Sequence, residues 1–272
     1  MYQIHYLDSL ALPIVLVLTI AFIALSAEIG FRVGRKRLER LPEGETSHMG
    51  AAVASTLGLL AFMLAFTFGS GTTRLDERRA LVLESSNAVN TAYLRTALLS
   101  EPYRGESRVL LADYVGLLVE GATVDRNAGD AQAYATLLSK REALTQLQQQ
   151  LWSVAVTAAR EDPRPTNSLY LAALNTIFDL LQKRFTVSVQ QRMPGVFWLM
   201  LFCLAGLAIG LAGYDSGVSR SQRNSSIWAM TLAFAFVIVL VVAIDRPRAF
   251  PVSQMPLQEL QARIGSAVNA GD

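Results

Sequence analysis

In residues Thr56–Leu81, TLGLLAFMLAFTFGSGTTRLDERRAL, an apolar run of membrane-spanning quality passes into a charged stretch with no proline between them. Such a segment reads as one long helix that leaves a bilayer still helical. Gly58, Phe62, Phe66 and Ser70 recur every four residues and so lie close together on the helix, and Arg74, Arg78 and Arg79 follow at the exit. Small and aromatic residues leading to a basic mouth form a pattern that can line a pore.

Composition points the same way. Of 272 residues 52% are hydrophobic and only 17% charged, which places the chain among membrane proteins. The apolar residues gather in four runs, Leu10–Phe31, Ala51–Ser70, Val196–Tyr214 and Ile227–Ile244. Each is about long enough, at ~1.5 Å per residue, to cross a ~30 Å hydrocarbon core. The expected fold is therefore an all-α membrane protein with four transmembrane helices and a soluble helical bundle inserted between the second and third. The expected parts are a transmembrane hairpin over 1–71, the helical domain over 72–192, a second hairpin over 193–245, and a C-terminal extended segment with a short helix over 246–272.

No Lys or Arg precedes Arg32, and the first run is too long for a signal-peptide core, so it reads as a retained span. Cys203, the single cysteine, lies inside the third run and excludes both an intrachain disulfide and a cysteine-based metal site. The net charge of +2 carries little meaning in a membrane protein, and no nucleic-acid partner is expected.

Residues 72–192 read as helices. Leu75, Val82 and Val89 continue an apolar stripe to about Leu99; Glu101-Pro102 breaks it, and the next helix carries Val109, Leu110, Tyr114, Leu117 and Leu118. A loop over Gly121–Asp130 precedes an Ala/Leu/Gln-rich helix to about Arg160, and Pro163 and Pro165 separate it from a helix capped by Thr166 or Asn167. These helices carry few apolar residues for their length, so neighbouring copies or extensions of the membrane helices are expected to complete the bundle. Leu257–Ile264 reads as a short amphipathic helix docked on it.

The chemical inventory is small. His5 and His48 lie far apart in the sequence with no metal-ligand spacing around either. Glu28 sits one turn before Arg32 and is expected to pair with it. Asn175 and Asp179 read as a solvated face. No metal, cofactor or catalytic residue is expected, and the chain is not read as an enzyme. In the third span, Gly206, Gly210 and Gly213 form a small-residue face suited to close helix packing, expected to support association.

The segment LAFTFGSGTTRLDERR, with Arg74, Glu77 and Arg79 in an Arg-x-x-Glu-x-Arg exit, resembles the second-helix segment of bacterial bestrophins. With Asn87, Asn90–Arg95, Glu101–Arg104, Asn175, Asp179, Gly213-Tyr214 and Asp245–Pro247 added, nearly the whole chain resembles the bacterial bestrophin-like family of unknown function called DUF4239. In bestrophins two tryptophans follow the arginine, where this chain has Leu75 and Asp76. The resemblance implies a pentameric ion channel, anion-conducting or in some bacteria cation-conducting, with second-helix side chains forming the neck. The pore-lining residues would be Gly58, Phe62, Phe66 and Ser70, the pore-mouth charges Arg74, Arg78 and Arg79, and the partners inorganic ions, the lipid bilayer and further copies of the chain. An anion is the expected ion, because aromatic ring edges and arginines both favour negative charge. The alternative is a membrane-anchored interaction or sensory protein without conductance.

The location is expected to be the bacterial inner membrane. Arg32, Arg35, Lys36, Arg37 and Arg40 after the first span, with Arg220 and Arg223 after the third, place those short loops inside and the helical domain in the periplasm. Basic residues at the domain's own ends and the bestrophin resemblance imply the opposite, a cytoplasmic domain.

Overall fold

The structure, a computed structural model, describes residues 10–40, 49–122, 130–187, 193–219, 225–246 and 249–270. His5, His48, Arg220, Arg223, Arg248 and most of the loop expected after Gly121 lie outside them. The described residues form helices α1 (Leu12–Leu38), α2 (Gly50–Arg95), α3 (Tyr103–Ala122), α4 (Asp130–Glu161), α5 (Asn167–Phe185), α6 (Gly195–Val218), α7 (Ser225–Asp245) and α8 (Met255–Ala270), with a 3-10 turn at Thr96–Leu98. No strand occurs among them. The four expected apolar runs correspond to α1, α2, α6 and α7, the first starting at Leu12 rather than Leu10, and these helices are long and apolar enough to cross a membrane.

The chain divides into two compact units, one of residues 1–73 and 192–250 and the other of residues 74–191 and 251–272. The long helix α2 contributes its first half to one and its second half to the other.

In the first unit α1 packs most extensively on α6 and also meets α7. Lipid tails are as apolar as leucine, so burial gives such helices little reason to associate; close backbone packing has to hold them. Glycine allows that packing. A Cβ at Gly30 would stand 1.9 Å from the Gly210 carbonyl oxygen, and one at Gly34 2.3 Å from that of Tyr214. From the other side, a Cβ at Gly213 would stand 2.2 Å from the Ala27 oxygen and one at Gly217 2.5 Å from that of Phe31. Two facing runs of glycine thus bring backbone against backbone. The small-residue face read from the sequence forms a close helix seam within the chain. Its tightest α6 positions are Gly213 and Gly217; Gly206 meets only the Phe22 ring and Ser26 hydroxyl at 3.2–3.3 Å, and Gly210 has ordinary clearance of 3.5 Å. Leu60 and Leu64 of α2 join Ile23, Ala205, Ile209, Ala235 and Ile238 in the buried cluster beside this seam.

The second unit closes its own core. Leu75, Val82 and Val89 are all buried along α2, as their seven-residue spacing requires. They lead into a cluster containing Leu111, Tyr114, Leu151, Tyr170 and Leu174, each essentially inaccessible. Val82, Val89 and Ala92 on the extension of α2 lie in it. Helix α8, expected to dock on this bundle, packs on α3 and adds Leu257, Leu260 and Ile264 as a fifth apolar face. Ser86 donates to the Pro256 carbonyl at 2.9 Å and Arg263 to Asn90 at 2.7 Å, fixing α8 from its polar edges. Helix α5 starts where expected, with Thr166 at its N-cap position. Thr166 has helical backbone angles and makes no side-chain cap, whereas the Asn167 amide donates to the Asp162 carbonyl at 2.7 Å. Burial pushes the Tyr114 hydroxyl up to about 12 and lowers the Arg184 guanidinium.

The seam predicts an order of sensitivity. Gly30→Ala and Gly213→Ala force a methyl into a carbonyl and should each cost about 1–3 kcal/mol or more. Gly210→Ala should be near neutral, and Gly58→Ala, where nothing lies within 4 Å of the added methyl, should be neutral or stabilising. Thermal unfolding of the four purified variants, read by loss of helicity, checks this; equal midpoints in all four would contradict the seam.

Candidate functional site

The residues singled out on α2 divide by side. Leu60, Leu64, Thr67 and Gly71 are turned into the first unit, Gly71 facing the Ile244 side chain. Phe62 and Phe66 point away from it, with 63% and 61% of their surface exposed, and Gly58 stands in open space. Ser70 is half-buried. Phe68, about 200° round the helix from Phe66, retains 38%. The four-residue spacing therefore corresponds to a face that this chain leaves largely uncovered, with Phe62 and Phe66 at its centre.

Hydroxyls on this part of the helix are satisfied internally. Ser55 donates to the Ala51 carbonyl at 2.8 Å, Thr67 to that of Met63 at 2.6 Å and Thr73 to that of Gly69 at 3.0 Å. In a lipid environment an unpaired hydroxyl costs free energy, and these bonds to carbonyls about one turn back remove that cost without a partner helix.

The arginines do not act as one group. Arg78 is only 9% exposed, with its Nε pointed at the Arg74 carbonyl at 3.4 Å. Twelve residues beyond Phe66 is a rotation of about 120°, which puts it on the stripe of Gly71, Leu75 and Val82. It is therefore not an exposed mouth charge, a correction to the sequence reading. Arg79 is exposed but lies about 140° from Phe66 in the other sense, and its guanidinium donates to Asp76 at 3.1 Å. Arg74 is half-buried.

Sequence reasoning passed over the acidic residues on the same side. Extending the helix from Phe66 places Thr73, Glu77 and Glu84 within about 20° of its direction; Thr73 and Glu84 are exposed and Glu77 half-buried. The signal was available in the alternating seven- and four-residue steps from Phe66 to Thr73, Glu77 and Glu84.

Away from α2, Glu28 and Arg32 form the expected ion pair at 2.8 Å. Cys203 is exposed and unpaired. Asn175 and Asp179 are exposed on α5. No group of three or more potential metal ligands occurs among the described residues.

These features can be set beside known proteins. No curated protein matches. Solved structures of a bacterial bestrophin homologue from Klebsiella pneumoniae are similar in fold. One point-mutant form aligns at a TM-score of 0.62 with 14% identity over 93% of this chain and 97% of its own. A second mutant form gives 0.63 with 15% identity over 93% and 95%. A determination phased on zinc gives 0.62 with 13% identity over 95% and 97%. The sequence profile described as the Bestrophin-like domain matches residues 21–250, most of the length and both halves of α2. This chain belongs to the Bestrophin-like family.

Proposed function

We propose that the protein is an oligomeric ion channel in which copies of α2 surround a conduction path, with Phe62 and Phe66 forming its hydrophobic neck. The observation that carries this reading is the exposure of the two phenylalanines on a face turned away from the chain's own core. Rings of aromatic side chains narrow enough to exclude water can gate a path by dewetting. Gly58 and Ser70 would flank the neck with small side chains. A ring-shaped homo-oligomer is required because one helix cannot enclose a path, and five copies is the number that the bestrophin resemblance implies. A bacterial inner membrane suits four apolar α-helices. The second unit would lie outside the bilayer, on the side the short basic loops or the bestrophin pattern assigns it.

Anion conduction draws support from the positive ring edges of Phe62 and Phe66 and from Arg74. A second reading, cation conduction, is favoured by Glu77 and Glu84, which continue the row of Phe66, whereas Arg78 is buried and Arg79 is paired with Asp76. The two readings separate in a planar bilayer under a salt gradient. An anion path gives a reversal potential near the chloride value that Arg74→Gln moves toward zero. A cation path gives the opposite sign, and Glu84→Gln moves it toward zero. Either shift should fade as salt screens the charge.

Replacing Phe66 by Ala should raise conductance or open probability, because the widened neck wets more readily. Phe68→Ala should leave both nearly unchanged. Currents that are the same in Phe66→Ala and the unmodified protein would remove α2 from the neck. Light scattering of the purified protein with detergent mass subtracted should give a single species of several chains; a monodisperse monomer would exclude the channel.

A further inference from the structure

We propose that the outward face of α1 is a binding site for an anionic phospholipid, with acyl chains along Leu18, Leu25, Ile29 and Val33 and the phosphate held by Arg32, Arg35, Lys36 and Arg40. Helix length sets the stage. At 27 residues α1 is about 40 Å long, some 10 Å more than a hydrocarbon core, so its last turns stand at headgroup level when the apolar part fills the core. Its inner face is committed to the glycine seam through Ile23, Ala27, Gly30 and Gly34. On the opposite side Leu18, Leu25, Ile29 and Val33 are each more than half exposed. Steps of seven, four and four residues keep them on one row, and Lys36 and Arg40 extend that row by three and four more.

Charge then follows apolar length in the order in which a phospholipid presents them. Arg32, Arg35, Lys36, Arg37 and Arg40 are all exposed or largely so. Two carboxylates stand among them: Glu28, paired with Arg32 at 2.8 Å, and the exposed Glu39. Five cations against two carboxylates leave an excess of positive charge. It lies at a helix carboxyl terminus, where the backbone dipole stabilises the side-chain cations. Long Arg and Lys side chains at a membrane-helix end reach the phosphate layer while their stems stay on the apolar row. A phosphate monoanion with two acyl chains fits this arrangement; a neutral zwitterionic headgroup brings its own cation and gains little from it.

The test is native mass spectrometry of the detergent-purified oligomer titrated with phosphatidylglycerol and, separately, phosphatidylcholine. The unmodified protein should bind phosphatidylglycerol at least about fivefold more tightly, with the preference falling as ammonium acetate is raised. The triple variant Arg35→Gln, Lys36→Gln, Arg40→Gln should bring the ratio close to one. The control pair Arg160→Gln, Lys183→Gln should leave it unchanged, and Leu25→Ala with Ile29→Ala should weaken both lipids alike. Equal affinities in the unmodified protein, or a preference that survives the triple variant, would overturn the site. So would loss of subunits from the triple variant at unchanged helicity, because the face would then be covered by a second copy. If the triple variant does not fold, the salt dependence in the unmodified protein still decides.

Discussion

Backbone-to-backbone contact between α1 and α6 is the constraint on which the membrane unit rests. In hydrocarbon no gain from burying apolar side chains is left to draw helices together, so close packing must do it. Gly30 and Gly34 on one helix and Gly213 and Gly217 on the other bring carbonyl oxygens to where a methyl group would stand. With that seam made, α7 meets α1 and α6, and Leu60 and Leu64 of α2 fill the adjoining cluster. A four-residue step then fixes the opposite side of α2, so Phe62 and Phe66 have to point outward. The exposed row is thus a consequence of what the glycine seam and the leucines occupy.

The same geometry sorts the charges. A helix that buries Leu75 and Val82 also turns Arg78 inward, and its guanidinium then points to the helix's own backbone. Spacing in sequence made Arg74, Arg78 and Arg79 look like one basic mouth. Rotation of about 100° per residue spreads them round the helix and puts glutamates on the row of the phenylalanines. The electrostatics of the α2 exit therefore depends on which way each residue faces more than on the count of arginines.

Much of this was legible in the sequence. The four apolar runs, the unbroken length of α2, the Leu75–Val82–Val89 stripe and the Glu28–Arg32 pair all follow from local spacing, and each appears in the structure. What could not be read depends on a partner element. Gly206-x-x-x-Gly210 was visible as a small-residue face, but its register against Gly30 and Gly34 places the tight contacts nearer the end of α6. The docking of α8 on the bundle was legible, but how far Leu257, Leu260 and Ile264 enter its core depends on packing against α3. Thr166 holds the N-cap position with helical backbone angles and no side-chain cap bond, which sequence spacing alone does not reveal.

The central claim is that the Phe62–Phe66 face meets water within an assembly and not lipid. Phe66→Cys in a Cys203→Ser background, assayed in a planar bilayer with a charged, membrane-impermeant methanethiosulfonate, tests it most directly. The account predicts a rapid change in current on adding the reagent, reversed by a reducing agent and absent from the Cys203→Ser parent. Currents indifferent to the charged reagent, with the same thiol reacting readily with a lipid-soluble maleimide, would place this face against the bilayer and contradict the account.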